Sequence, residues 1–165
     1  RGSKNSDVNV IIWSWCGQAS AYTQQDMIDK YLTPMSQLES VYPGIKFVYM
    51  TGHLDGTGST GNLNARNQQI RDYCNANKKI LYDFADIESY DPSGSEFMTF
   101  NANDNCDYTG GNWAINWITA NPASNLTSLA STICAGCCAH SQGLNCVLKG
   151  RAVWWLWARL AGWGG

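Results

Sequence analysis

Three short runs of β-branched and aromatic residues alternate, in the first half of the chain, with stretches of helical periodicity. The runs at residues 8–15, 45–51 and 79–85 predict strands. Apolar side chains recur at three- and four-residue spacing in residues 27–38 and 62–77, which predicts amphipathic helices. Near-continuous apolar strands that alternate with helices are typical of a parallel sheet covered on both faces. The pattern therefore predicts an α/β fold, with three α/β/α layers around a short, mainly parallel sheet.

The helical stretch before the second strand contains Pro34, which cannot donate a backbone hydrogen bond. We expect either a kink at this point or a second helix start, with Thr33 as the cap and Pro34 in the first position. Thr23 is placed to cap the beginning of the whole stretch.

The pattern changes after residue 92. Residues 93–146 are polar, turn-rich and cysteine-rich, and contain two short helical stretches. A last helix is predicted from Cys146 to Ala161, ended by Gly162. We expect one domain over residues 1–165, with residues 1–7 as a loose lead-in.

Charge argues against nucleic-acid binding, and hydropathy argues against a membrane span. The formal net charge is −2, from 11 basic and 13 acidic residues, so nothing attracts a nucleic acid. No membrane span is expected, because the most apolar stretch, residues 147–163, is short and carries Lys149, Arg151 and Arg159.

Seven cysteines are many for 165 residues, and four of them lie between Cys134 and Cys146. Such clustering indicates an oxidising compartment and local disulfides, so we expect a secreted or extracellular protein, with the periplasm and the cell surface included. The candidates for disulfide bonding are Cys16, Cys74, Cys106, Cys134, Cys138 and Cys146.

Two other kinds of modification or ligand follow from the same region. Zinc is a minor alternative to disulfides at Cys134, Cys137, His140 and Cys146, whose spacing suits a tetrahedral site. Asn125 begins an acceptor sequon for N-linked sugar, which predicts a glycoprotein if the source organism glycosylates. No cofactor is expected.

The order of the segments resembles a known enzyme family. Four segments carry the resemblance. In chain order they are V-N-V-I-I-W-S-W-C-G-Q, Y-L-T-P-M-S-Q-L-E-S-V-Y-P-G-I-K-F-V-Y-M-T, N-A-R-N-Q-Q-I-R-D-Y-C-N-A-N-K-K-I-L-Y-D-F-A-D and C-C-A-H-S-Q-G-L-N-C-V-L-K-G-R-A. In layout they are similar to the later two-thirds of SGNH (GDSL-type) hydrolases, which implies a flavodoxin-like scaffold and ester hydrolysis on acylated carbohydrates.

The departures from that family decide the functional expectation. The Gly-Asp-Ser nucleophile segment has no counterpart, and Ser14 to Gly17 replace the segment that helps to bind the oxyanion. His140 keeps the position of the family's histidine, but Cys137 stands where the orienting carboxylate is required. We therefore expect a pseudoenzyme used for extracellular assembly or carbohydrate contact. The alternative is an esterase that uses His140 with a nucleophile from an upstream segment or a partner chain.

Several side chains are candidates for chemistry. His140 is the best candidate general base, and Cys16, at the carboxyl end of the first strand, could form a thiolate pair with it. A histidine held by local hydrogen bonds and a disulfide-bonded Cys16 are the favoured alternatives. His53 and Asp55 follow the second strand, Asp86 follows the third, and all three are candidate ligand-binding residues. Ordinary polar roles in a glycine-rich loop are favoured for His53 and Asp55, and a turn-capping role explains Asp86 equally well.

Eight tryptophans are present. Trp13, Trp15, Trp154 and Trp155 are expected to pack between the sheet and the last helix, because aromatic side chains bury a large area there. The other four are Trp113, Trp117, Trp157 and Trp163; where exposed, they could stack on sugar rings or on a neighbouring subunit.

The resemblance also predicts an assembly contact. No strand precedes residues 8–15 in this sequence, so that strand would present a bare edge. We expect the edge to be covered, either by residues 1–7 or by a second copy in a homo-oligomer.

Overall fold

A computed structural model describes residues 5–134 and 136–164, and it divides the chain into two compact units. The first unit is Arg1–Gly52 with Asn62–Asp83, and the second is His53–Gly61 with Phe84–Gly165.

The first unit contains a three-stranded parallel sheet, so the predicted α/β class with a short parallel sheet is confirmed. Its strands are β1 (Val10–Trp13), β2 (Lys46–Met50) and β3 (Ile80–Tyr82), in the order β1-β2-β3. Ile12 is in register with Val48, and Val48 with Ile80. The central strand is buried on both faces, since Val48 and Tyr49 are both fully inaccessible to solvent.

A nearly continuous helical segment connects β1 to β2. After a 3-10 turn at Gly17–Ala21 it comprises α1 (Gln24–Met27), a π-helical turn (Ile28–Leu32) and α2 (Thr33–Val41). Thr23 caps α1 in a capping box with Asp26, as predicted.

Pro34 is accommodated partly as expected. A new α-helix, α2, begins at Thr33 with Pro34 in its first turn, but Thr33 has helical backbone angles and makes the π-type bond to the Ile28 carbonyl, so it is not the predicted cap. The missing N–H of Pro34 leaves the Lys30 carbonyl, four residues back, without its helical donor. The indole of Trp15 donates to that carbonyl at 3.2 Å. A π-helical turn therefore lies immediately before the proline.

The core of the first unit forms between the sheet, this segment and α3 (Asn62–Asn77). Its buried side chains include Met27, Tyr31, Met35, Phe47, Tyr49, Leu63 and Ile70. Trp13 and Trp15 pack against this cluster. Tyr31 Oη donates to the Trp13 carbonyl at 2.8 Å and accepts from the Met50 N–H at 2.8 Å, which fixes the helical segment on the sheet. Burial raises the pKa of Tyr31.

The second unit is mainly helical. It contains α4 (Phe84–Ser89), a 3-10 turn (Met98–Phe100), the short hairpin β4 (Asp107–Tyr108) and β5 (Gly111–Asn112), α5 (Trp113–Ala120), α6 (Asn125–Ser131) and α7 (Gly143–Leu160). Its core includes Cys106, Trp113, Ala114, Ala130 and Leu144. Trp113 is therefore a core residue and not an exposed one.

The outer edge of β1 has no strand beside it among the residues that the structure describes. Residues 5–7 form a turn, in which the Val8 N–H donates to the Asn5 carbonyl at 3.3 Å. Residues 1–4 lie outside the described part, so the predicted cover of this edge stays a prediction.

Candidate functional site

An open apolar groove of about 820 Å³ lies between α6 and α7. Three tryptophans, Trp154, Trp155 and Trp163, line it. We call it the tryptophan groove. All three are exposed, with 75%, 56% and 54% of their surface accessible. The prediction that Trp154 and Trp155 pack between the sheet and the last helix is therefore wrong.

The periodicity of α7 explains how the groove forms. Val147, Arg151, Trp154 and Ala158 follow one another at spacings of four, three and four residues, so they share one face of the helix, and all four line the groove. Leu144 and Leu156 are buried. The other wall comes from the end of α6 and the residues after it, including Leu129 and Ile133.

A Schellman motif positions Trp163 after the end of α7. Gly162 has φ +98° and donates to the Arg159 carbonyl, and the Trp163 N–H donates to the Ala158 carbonyl at 3.0 Å. The Arg159 guanidinium also donates to the Trp163 carbonyl at 3.1 Å and lies 5.6 Å from the Trp155 ring centre. The predicted stop at Gly162 is thus the feature that turns Trp163 back towards the groove.

The cysteines form two local disulfides, Cys134–Cys137 and Cys138–Cys146, in the segment that connects α6 to α7. The predicted set is corrected in two ways. Cys137 is bonded, whereas Cys16, Cys74 and Cys106 are free thiols. Two cysteines can pair only if the fold brings their backbones close together, and their spacing in the sequence does not determine this.

The three free thiols differ in environment. Cys16 is exposed after β1, whereas Cys74 and Cys106 are buried. Burial raises the pKa of Cys74 to about 12 and that of Cys106 to about 11, so both are neutral thiols. Neither buried thiol is therefore in the thiolate form that nucleophilic attack requires.

The zinc alternative does not agree with the structure. Its three cysteines, Cys134, Cys137 and Cys146, are all engaged in disulfides. Across residues 5–134 and 136–164, no group of three metal-ligating side chains could hold a metal ion.

His140 is exposed and has a left-handed backbone, with φ 55°. No hydrogen bond of the described residues involves its imidazole, and the neighbouring Ser141 hydroxyl accepts from Asn145 Nδ2 at 2.8 Å. Cys16 belongs to the first unit and His140 to the second. The Cys16–His140 pair stays a hypothesis, and among the described residues of the second unit no hydroxyl or thiol forms a hydrogen bond with the imidazole.

The candidate ligand-binding residues have local partners. His53 Nδ1 lies 2.8 Å from the Leu54 carbonyl and 3.7 Å from Asp104 Oδ2. Asp55 accepts from the Thr57 N–H at 3.0 Å in an Asx turn. Asp86 is exposed in the first turn of α4. These contacts fit the loop and turn roles that the sequence left open.

One buried charge pair was not predicted. Glu88, fully buried in α4, accepts from the Leu54 N–H at 2.7 Å and forms an ion pair with Lys149. Lys149 also lies 4.0 Å from the Phe84 ring centre. Sequence periodicity contains no signal for such a pair, because its members are 61 residues apart.

Asn125, the predicted glycosylation position, is the exposed first residue of α6. The hydroxyl of Thr127, the third sequon residue, donates to the Asn121 carbonyl at 2.7 Å.

Among the described residues, none of the helices has the length and apolar character needed to cross a bilayer. No known protein-family model, curated protein or solved structure matches this chain. The resemblance to SGNH hydrolases therefore stays a prediction.

Proposed function

We propose that this protein is a non-catalytic extracellular binding domain, and that the tryptophan groove is its ligand-binding surface. The observation that carries the proposal is the exposure of Trp154, Trp155 and Trp163 around one apolar groove. Soluble proteins rarely leave such a patch exposed unless it binds something. The extracellular setting is supported by the two disulfides, and the three-layer SGNH-like scaffold is part of the proposal.

The lining of the groove favours an apolar ligand over a sugar. Thr132 and Arg151 are its polar side chains apart from the indole N–H groups. Sugar sites combine aromatic stacking with several side chains that hydrogen-bond to hydroxyls, and a mainly apolar wall instead suits a ligand with an apolar face. Carbohydrate contact, expected from sequence, becomes the less favoured ligand class for this groove.

A hydrophobic fluorescent probe tests the binding function. N-phenyl-1-naphthylamine should bind saturably, and Trp154→Ala with Trp155→Ala should reduce its affinity at least tenfold. Phe100→Ala is the matched control, because Phe100 is a 52% exposed aromatic outside the groove lining. Equal probe binding by the double variant and the native protein would contradict the proposal.

The non-catalytic part has its own test. Hydrolysis of p-nitrophenyl acetate should fall by no more than about twofold in His140→Ala, the background of an exposed imidazole, because no hydroxyl or thiol nucleophile hydrogen-bonds to it among the described residues of the second unit. A rate that falls at least tenfold in His140→Ala would show that an ester hydrolase is present.

A further inference from the structure

We propose that the face carrying the tryptophan groove docks on an anionic lipid bilayer surface. This inference depends on the proposed function, since it names the partner of the same groove. It starts from the distribution of charge along the chain.

The acidic residues are confined to one part of the sequence. All 13 lie at or before Asp107, together with eight of the 11 basic residues. From Tyr108 onwards there are three basic residues, Lys149, Arg151 and Arg159, and no acidic side chain. The helices that form the groove thus carry positive charge in a chain that is negative as a whole.

Two of these three cations, in or beside the groove, form no ion pair among the described residues. Lys149 is occupied by the buried Glu88 carboxylate. Arg151 lines the groove and is exposed. Arg159 is exposed beside Trp155 and donates to the Trp163 and Gly164 carbonyls, which are neutral groups and leave its positive charge uncompensated. The face therefore combines three exposed indoles with two guanidinium groups.

This combination matches the interface of a membrane. Tryptophan is enriched at the headgroup level, where its apolar ring and its N–H are both accommodated. Arginine binds phosphate, and an anionic leaflet attracts each basic residue near its surface. An amphipathic helix with these residues lies in the interface without spanning it.

A second copy of the chain fits the face less well. In a two-fold dimer the same patch meets itself, so the Arg151 and Arg159 guanidinium groups of both copies would be brought into one interface. Since no residue after Asp107 is acidic, neither α6 nor α7 supplies a carboxylate to pair with them. Phosphate headgroups provide the missing negative charge.

Vesicle binding tests the proposal. The folded protein should co-sediment with vesicles of phosphatidylcholine containing 30% phosphatidylglycerol and bind pure phosphatidylcholine vesicles at least tenfold more weakly. Trp154→Ala should reduce binding to the anionic vesicles about tenfold. Arg151→Gln should reduce it about fivefold, which corresponds to the contribution of one basic residue at an anionic surface.

The controls are Phe100→Ala, for loss of an exposed aromatic residue, and Lys78→Gln, for loss of an exposed cation in the first unit. Both should bind anionic vesicles like the native protein. If the native protein binds the probe but not anionic vesicles, the membrane proposal is overturned and the proposed binding function is left intact. If it binds neither the probe nor the vesicles, both proposals are overturned. A dimer in sedimentation velocity that Trp154→Ala dissociates would assign the face to self-association and overturn the membrane proposal.

Discussion

Glu88 and Lys149 form a buried ion pair in the second unit. The carboxylate is fully buried and the lysine side chain is 14% exposed. Removing one member of a buried pair leaves an uncompensated charge, whereas replacing both often costs little. The backbone N–H of Leu54 supplies the carboxylate with a second donor.

Lys149→Met should therefore lower the free energy of unfolding by about 3 kcal/mol, because the Glu88 carboxylate stays buried without its counter-charge. The double variant, Glu88→Gln with Lys149→Met, should regain most of the lost free energy of unfolding, since the amide oxygen of Gln still accepts from the Leu54 N–H. Urea unfolding of both single variants and the double variant measures this coupling. Lys78→Met is the control for losing a solvated lysine, and equal losses in Lys149→Met and in the double variant would contradict the argument.

The three free thiols should be distinguishable by their reactivity. At pH 8, iodoacetamide should label Cys16 quickly in the native protein, because that thiol is exposed. Cys74 and Cys106 should react only after denaturation, since burial both blocks access and raises each thiol pKa well above 8. Mass spectrometry should count one label in the native state and three after unfolding. Cys16→Ser should remove the fast label, and rapid labelling of a second cysteine would refute the assignment.

At the scale of elements, Pro34 and Trp15 explain the π-turn together. The proline removes a helical donor, and the indole of Trp15 uses the carbonyl of Lys30 that is left. The aromatic residue after β1 thereby fixes the helical segment that follows it in the chain. Tyr31, in the same turn, bonds to the backbone of β1 and β2.

Trp15→Phe should lower the free energy of unfolding by about 1 kcal/mol, because it removes the donor to Lys30 and keeps an aromatic ring against the core. In a Pro34→Ala background the new N–H of residue 34 can bond to that carbonyl, so the same substitution should cost clearly less. Chemical denaturation of the four proteins in this cycle measures the difference. Identical costs in the two backgrounds would show that the proline does not free the carbonyl for the indole.

Strands and helices could be predicted where local propensity and tertiary packing agree. The runs around β1, β2 and β3 are rich in β-branched and aromatic residues, and all three form strands. The ends of the strands were less predictable, because strand pairing stops where side-chain hydrogen bonds hold the next residues. Asp83, directly after β3, accepts hydrogen bonds from the Arg71 guanidinium and from the Thr51 hydroxyl. The tryptophans of α7 gave no directional signal. Apolar residues occupy every position from Ala152 to Ala158, so hydrophobicity alone placed Trp154 and Trp155 in a core.

The whole molecule separates its scaffold from its candidate binding surface. The parallel sheet belongs to the first unit, whereas both disulfides and the tryptophan groove belong to the second. Both disulfides lie within residues 134–146 and join partners only three and eight residues apart. They therefore constrain the connection from α6 to α7, which form the two walls of the groove.

This arrangement predicts that breaking the Cys138–Cys146 disulfide, which closes the larger loop, has a local effect. Replacing Cys138 and Cys146 by serine frees a loop whose closure restricts the unfolded chain, which should cost about 2 kcal/mol. Hydrogen exchange should accelerate in α6 and the first turns of α7 and stay unchanged in β1, β2 and β3, because the disulfide joins no residue of the first unit. Cys16→Ser, which removes an exposed free thiol, is the matched control.

Probe affinity of the groove should fall with the loss of protection in α6, since Leu129 and Trp154 then lose their fixed spacing. Faster exchange in the sheet to the same extent as in α6 would contradict this division, because it would show that the two units unfold together.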